Sequence, residues 1–323
     1  MKIYIYPTYT PSRDKSGNLY IKYFHDAFRQ QGFKLSNNLW QIGIMSLFAN
    51  LKSDIFIIQW VDLIPNKKCG KIQFVFFVLG LLMLRLSRKD IVWILHNKRA
   101  HNGKSRLVDW SMSIMAKYSN LVITHSLEGI DFFNSEYPKS KGKCFYIPHP
   151  VYSDNISCSE TNQWDYIIWG NISRRKNVAE FLEYTKNRKY YKDKKILICG
   201  KCTDMSYAQR ISKFCSENVT FENKFLTDSE LSKRILKSRC ILFTYSPDSV
   251  LSSGALIYSL NFCKPIIGPN VGSFKDLDTI VRTYNDFSQI EKIDMFDNAK
   301  ACKLYIDENK WSTLPLKIIN LLE

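Results

Sequence analysis

Short apolar runs punctuate the first half of the chain at residues 3–6, 55–59, 91–95, 121–124 and 145–147, with stretches of helical spacing between them. Runs of three to five residues rich in Ile, Val and aromatics, bounded by polar turns, predict strands, and their alternation with helical stretches predicts βαβ units. After a polar interval the pattern restarts at residues 166–169, 195–199, 219–222, 240–244 and 265–267. Two such series predict an α/β chain of two doubly wound, Rossmann-like domains, each built on a parallel sheet. The turn-rich stretch 148–163, PHPVYSDNISCSETNQ, has the composition of a domain boundary. The expected division of the 323 residues is an N-terminal domain over 1–155 and a C-terminal domain over 156–305. A terminal helix over 306–323 has the option of crossing back to the first domain. No segment repeats with a period of 20–50 residues.

The longest apolar run, residues 72–84 (IQFVFFVLGLLML), is preceded by Lys67, Lys68 and Lys71 and followed by Arg85, Arg88 and Lys89. It falls short of the roughly 20 residues that span a bilayer. Two readings stay open: a crossover helix buried on the sheet, or an interfacial helix whose basic ends meet acidic headgroups. Charge adds to the second. Of the net +16, residues 1–155 carry +11, from 21 basic and 10 acidic side chains, which suggests an anionic partner for that half.

The chain opens on the strand-like MKIYIYPTYT, with no basic leader, apolar core or cleavage site, so no export is expected. Nine scattered cysteines fit a reducing compartment, hence the cytoplasm. Cys199 and Cys202 form a CxxC without a second pair or histidine at zinc-site spacing. The glycosylation triplets at Asn155, Asn171 and Asn218 are then chance matches.

A doubly wound sheet binds ligands beyond the carboxyl ends of its strands, so the residues just after each run are the informative ones. After 166–169 comes Gly170-Asn171-Ile172-Ser173-Arg174-Arg175-Lys176-Asn177, a tight turn carrying Arg174, Arg175 and Lys176 into a helix that starts near Val178. A glycine that lets backbone approach, cations, and helix-terminal N–H groups suit a diphosphate. After 240–244 come Tyr245 and, further on, Ser252-Ser253-Gly254, where either serine can cap a helix and Gly254 leaves its first turn open. After 91–95 come His96, Asn97, Lys98, Arg99 and His101, an acceptor site with a side chain suited to proton transfer near neutral pH. The turn holding Gly17 and Asn18 is a fourth, weaker place, on the acceptor side. Asp62, after 55–59, is a carboxylate alternative to the histidines.

WGNISRRKNV resembles the strand-turn-helix Gly-x-(Ile/Leu)-x-x-x-Lys-(Gly/Asn) of GT-B transferases, and SPDSVLSSGALIYSLNFCKPIIGPNVGSFKDL resembles the donor segment of bacterial exopolysaccharide and O-antigen glycosyltransferases, family 4-like. FIIQWVD, VWILHN and VITHS are similar to the acceptor domain of the same families. The chain departs from them at two points. The Glu-x7-Glu pair of retaining members is replaced by Val250 and Tyr258, and the frequent Arg after the first Gly is Asn171.

The resemblance implies two domains facing a cleft, and transfer of a sugar from a UDP- or GDP-linked donor to a lipid-linked saccharide acceptor in surface polysaccharide synthesis, including lipopolysaccharide. It implies a hexosyltransferase-like enzyme, peripheral on the inner face of the plasma membrane. Donor binding then falls to Gly170, Asn171, Arg174, Arg175, Lys176, Tyr245, Ser252, Ser253 and Gly254. His96 is the candidate base, with His101 and Asp62 behind it, and Gly17, Asn18 and Asn97 lie on the acceptor side. No cofactor or metal is expected, because cations and helix dipoles serve the leaving diphosphate; Asp276-Leu277-Asp278 sits outside a strand end. Alternatives are a sugar-nucleotide epimerase of the same fold, or a non-catalytic subunit that binds nucleotide or membrane. Nucleic-acid binding is not expected, since the cations lack a helix-turn-helix or RNP context.

Overall fold

The computed structural model describes residues 1–9, 19–37, 43–98, 105–151, 161–246 and 250–323. The chain forms two compact units, Met1–Pro150 with Asn309–Glu323, and Val151–Glu308. Among the described residues no helix is long and apolar enough to cross a membrane.

The first unit has a parallel sheet of β1 (Lys2–Tyr6), β2 (Lys34–Leu35), β3 (Ile55–Gln59), β4 (Asp90–Leu95), β5 (Leu121–Thr124) and β6 (Cys144–Tyr146), in the order β2-β1-β3-β4-β5-β6. Helices α1 (Leu19–Gln30), α2 (Gly70–Leu86), α3 (Arg106–Tyr118) and α4 (Leu127–Glu136) lie between the strands in sequence. The second unit has β7 (Trp164–Trp169), β8 (Ile196–Cys199), β9 (Val219–Glu222), β10 (Ser238–Leu242), β11 (Ile266–Pro269) and β12 (Val281–Tyr284), in the order β12-β11-β10-β7-β8-β9, again all parallel. Its helices are α5 (Val178–Thr185), α6 (Met205–Ser212), α7 (Asp228–Leu236), α8 (Gly254–Ser259), α9 (Gly272–Asp276), α10 (Phe287–Ile290) and α11 (Ala299–Glu308). The last helix, α12 (Leu314–Asn320), belongs to the first unit.

Strands covered on both faces need apolar residues at every position, which is why the central strands read as unbroken apolar runs. In β7, Tyr166 and Ile168 enter one core and Ile167 and Trp169 the other, as the two-residue period requires. The sequence pattern missed β2 and β12, both at sheet edges. A two-residue edge strand, or one reading Val-Arg-Thr-Tyr with an exposed Arg282, carries no such run.

The strand orders mark the places at which doubly wound sheets bind ligands. Order reverses between β1 and β3 in the first sheet and between β7 and β10 in the second, and the carboxyl ends flanking such a reversal open a crevice. The turn after Trp169 and the segment after Leu242 occupy that place in the second unit. Tyr6 and Gln59 end the corresponding strands in the first.

The apolar run 72–84 lies within α2, which buries Phe77, Gly80, Leu81 and Leu84. Ile72, Val75, Leu79, Leu82, Met83 and Leu86 stay exposed. At about 100° per residue these six fall on a stripe opposite the buried face. One side of the helix serves the core and the other presents apolar surface to solvent.

Candidate functional site

In the second unit the chain turns sharply after β7. Gly170 has φ of 100°, a backbone that L side chains rarely adopt, and a Cβ there would lie 2.9 Å from Lys176 Nζ. Gly200, after β8, has φ of 134°, and a Cβ there would meet the Gly170 carbonyl at 1.9 Å. Both positions therefore demand glycine if the two turns are to touch.

The three consecutive cations have separate fates. Arg174 points to the surface, where its Nε donates to Asp204 at 2.8 Å, its Nη2 donates to Ser206 at 2.7 Å, and it lies 5.2 Å from the Tyr207 ring centre. Hydrogen bonds from the Ser206 hydroxyl, the Tyr207 N–H and the Arg174 guanidinium hold the Asp204 carboxyl at about 2, so this pair is ionic and its charge balanced. Arg175 lies 6.0 Å from the Tyr245 ring centre, and its carbonyl accepts from the Ser246 N–H at 3.0 Å. Lys176 is 5% exposed. Its Nζ donates to the Trp169 carbonyl and sits 5.3 Å from the Tyr245 ring centre. No carboxylate among the described residues pairs with it.

The segment after β10 closes on this turn, with the Thr244 hydroxyl donating to the Lys176 carbonyl. Burial alone would raise the Tyr245 phenol, but Lys176, the Ser253 hydroxyl and Arg175 outweigh it and hold the group below its ordinary value. Of the two serines, Ser253 is the cap: its Oγ accepts from the Leu256 N–H at 3.2 Å, so the first turn of α8 keeps one donor satisfied. Ser252 Oγ is buried with no hydrogen-bond partner among the described residues. A Cβ on Gly254 would meet nothing within 4 Å among the described residues, which leave this helix start open.

A cavity of about 220 Å3 adjoins the turn, lined by Gly170, Asn171, Gly200, Lys201, Lys224 and Phe225 among others. Phe225 is 82% exposed, an aromatic face offered to solvent. The sequence reading overlooked Gly200, Lys201 and Phe225, although Gly200 directly follows an apolar run, the signal used elsewhere. A larger cavity of about 680 Å3 lies among Lys186, Arg188, Lys189, Lys192 and Lys213, at the amino ends of β8 and β9. The crevice rule points to the opposite, carboxyl ends.

In the first unit, His96 follows β4 and is half-buried. It stacks on Trp60 with ring centres 4.2 Å apart and planes 9° from parallel, and Trp60 itself holds a left-handed backbone, φ 48°. His96 Nε2 lies 3.0 Å from Gln59 Oε1. Beside it, Asn97 Nδ2 donates to Asp62 at 3.1 Å, and Lys67 Nζ donates to the Tyr6 hydroxyl at 2.9 Å. Asp62 is 4% exposed; burial raises its carboxyl, against the pull of Asn97 and Lys67. Its carboxylate thus orients Asn97. Gly17, Asn18 and His101 lie outside the described residues.

Two histidines that the sequence reading passed over join His96. The ring centres of His96 and His125 are 5.9 Å apart and those of His125 and His149 are 4.9 Å apart. His125 Nδ1 donates to the Ile147 carbonyl at 2.8 Å, which leaves Nε2 to accept from the Tyr20 hydroxyl at 2.7 Å. His149 Nδ1 donates to the Pro150 carbonyl at 2.8 Å. Tyr20 and Trp311 pack edge-on at 5.0 Å, so the segment after Asn309 covers this cluster. His96 and His125 directly follow a short apolar run and His149 follows one after Pro148, and only the fold brings them together.

Burial lowers His125 to about 4 and His149 to about 3 from an ordinary value of 6.5, and His25, beside the Pro7 carbonyl, to about 4. The unfolded chain therefore binds more protons than the folded one between pH 6.5 and about 4. Stability is full above pH 6.5 and falls as the pH drops through that window, by about 1.4 kcal/mol per pH unit for each such histidine. The melting temperature should fall steeply between pH 6.5 and 4, and less steeply in His149→Gln. A flat profile would show that these rings are not held neutral.

No family model and no curated protein matches the chain. Among solved structures, Anabaena HepE (Alr3699) in complex with UDP and glucose matches with a TM-score of 0.67 and 13% identity, over 99% of this chain and 98% of that one. The apo form of the lipopolysaccharide outer core galactosyltransferase WaaB matches with a TM-score of 0.62 and 12% identity, over 99% of both chains. AviGT4, a glycosyltransferase involved in avilamycin A biosynthesis, gives 0.60 and 10%, over 99% of this chain and 96% of that one. At these identities the likeness is one of fold: two parallel six-stranded α/β sheets, as in GT-B glycosyltransferases.

Proposed function

We propose that the chain is a glycosyltransferase that moves a sugar from a nucleotide-diphosphate donor, UDP-linked by preference, to a lipid-linked saccharide acceptor in surface polysaccharide synthesis. The observation that carries the reading is Lys176, a 5%-exposed ammonium at the carboxyl end of the switch-point strand, without a carboxylate partner among the described residues. A buried cation needs an anion, and a diphosphate supplies one. As the glycosidic bond breaks, negative charge gathers on the leaving diphosphate, and Lys176 stabilises it together with the start of α8. The cavity beside Gly170 and Gly200, with Phe225 on its edge, accepts the nucleoside. His96 takes the proton of the acceptor hydroxyl. An epimerase would need free acid and base carboxylates at the sugar; among the described residues, Asp204 beside the donor turn is paired with Arg174 and Asp62 near His96 accepts from Asn97.

The test is a panel of UDP- and GDP-sugars with and without lipid-linked acceptor, in EDTA. Release of nucleoside diphosphate coupled to a longer acceptor supports the reading. An isomerised sugar nucleotide without transfer would point to the epimerase, and activity lost in EDTA but restored by Mn²⁺ would overturn the metal-free mechanism.

The exposed face of α2 supports an acceptor held at a membrane surface. Its exposed apolar stripe runs between Lys68 and Lys71 at one end and Arg85, Arg88 and Lys89 at the other, which suits shallow insertion in an anionic bilayer. Each Lys or Arg near such a surface contributes about 1 kcal/mol, weakened by salt. The protein should cosediment with phosphatidylglycerol-rich vesicles at low salt, and less with neutral ones. Val75→Asp with Leu79→Asp should abolish this without unfolding the protein, since both side chains are about half exposed. Equal binding by the variant would remove α2 from the contact.

A further inference from the structure

We propose that Gln59 is a positioning residue for His96, holding its imidazole in the tautomer that carries the proton on Nε2 and leaves the Nδ1 lone pair free. The inference deepens the reading above and rests on it only for the purpose of that lone pair.

Gln59 ends the run Ile55-Phe56-Ile57-Ile58, in a central strand with β1 on one side and β4 on the other. Every residue of that strand is buried, and Gln59 is 0% exposed. An amide at a position where the core would otherwise take an aliphatic side chain is costly unless its hydrogen bond is used. It makes one side-chain bond, from Oε1 to His96 Nε2 at 3.0 Å, while its Nε2 has no partner among the described residues. An amide oxygen carries no proton, so it accepts and the imidazole Nε2 donates. Burial, with His125 and His149 close by, keeps His96 well below its ordinary value and hence neutral, with its single proton on Nε2. Nδ1 has no hydrogen-bond partner among the described residues.

The ring is also held in plane. Trp60 covers one face, and Tyr20 stands perpendicular at 4.8 Å between ring centres. With the plane fixed by these rings and the proton fixed by Gln59, the lone pair on Nδ1 has one direction. His125 and His149 carry the opposite tautomer, because each gives its Nδ1 proton to a backbone carbonyl. Of these three clustered histidines, His96 alone has an Nδ1 without a hydrogen-bond partner among the described residues.

Long-range ¹H–¹⁵N correlation spectra of the ¹⁵N-histidine-labelled protein read the tautomers directly. The expected result is His96 protonated on Nε2 and His125 and His149 protonated on Nδ1. Gln59→Leu should remove the His96 preference and lower kcat 10- to 100-fold, with the donor KM changed less than twofold. Gln59→Glu places a carboxylate on the ring and should move the acid limb of the kcat–pH profile upward by a unit or more. His96 protonated on Nδ1 in the wild type would overturn the proposal, as would unchanged kcat and pH profile in folded Gln59→Leu. A protein with Nε2 protonated but no transferase activity would uphold the tautomer assignment and count against the functional reading instead.

Discussion

Replacing Lys176 by methionine should weaken UDP binding by roughly 10- to 150-fold, the equivalent of a charge-assisted contact worth about 1.5–3 kcal/mol. Methionine keeps most of the apolar stem, and the folded turn loses one donor to the Trp169 carbonyl, so the fold should survive. Arg174→Ala is the matched comparison. Its guanidinium is 59% exposed and balanced by Asp204, so its removal should cost less than about threefold. Titration calorimetry of both variants with UDP separates the two cations. Equal losses would mean that the turn acts as a diffuse basic patch, and no loss in Lys176→Met would take the buried ammonium out of the site. Salt sharpens the contrast, because screening weakens exposed charges far more than buried ones.

Replacing His96 by glutamine should lower kcat by about 10²- to 10⁴-fold, the range of a positioned general base, with donor affinity nearly unchanged. Glutamine retains bulk against Trp60 and a donor toward Gln59, which limits the structural cost. The pH profile adds a second reading. Burial disfavours the imidazolium, so the base form persists well below pH 6.5, and the wild-type rate should show no loss on the acid side until the pH is lower than that. An acid limb centred at or above pH 6.5 would indicate a solvated histidine or another base. Asp62 is the obvious alternative, and Asp62→Asn tests it. With the carboxylate already engaged by Asn97, that change should affect acceptor KM more than kcat.

The two sites differ in how much of them the residue order could reveal. The donor turn is local: glycine, three cations and a helix start follow one strand within a few residues, and a reader of the sequence finds them together. The ranking of those cations is not local. Arg174 meets Asp204 and Tyr207, thirty and more residues on, whereas Lys176 folds back under Tyr245, which follows a different strand, so only the packed sheet separates the neutralised charge from the buried one. The histidine cluster is less legible still. His96, His125 and His149 each look like an ordinary residue after a strand, and Trp311 arrives from the far end of the chain.

By itself the sequence determined two parallel-sheet series, the strand ends where chemistry could sit, the basic first half and a helix too apolar to be an ordinary surface one. Apolar runs and their spacing suffice for these, because burial on both faces of a parallel sheet is a demand on composition that does not depend on which strands are neighbours. Strand order decided the rest. Which ends flank a reversal, which side of α2 meets the core, and which polar groups share a hydrogen bond across dozens of residues are properties of pairing in three dimensions. The Gln59–His96 bond exists only because β3 and β4 lie side by side in one register, Gln59 opposite Ile94.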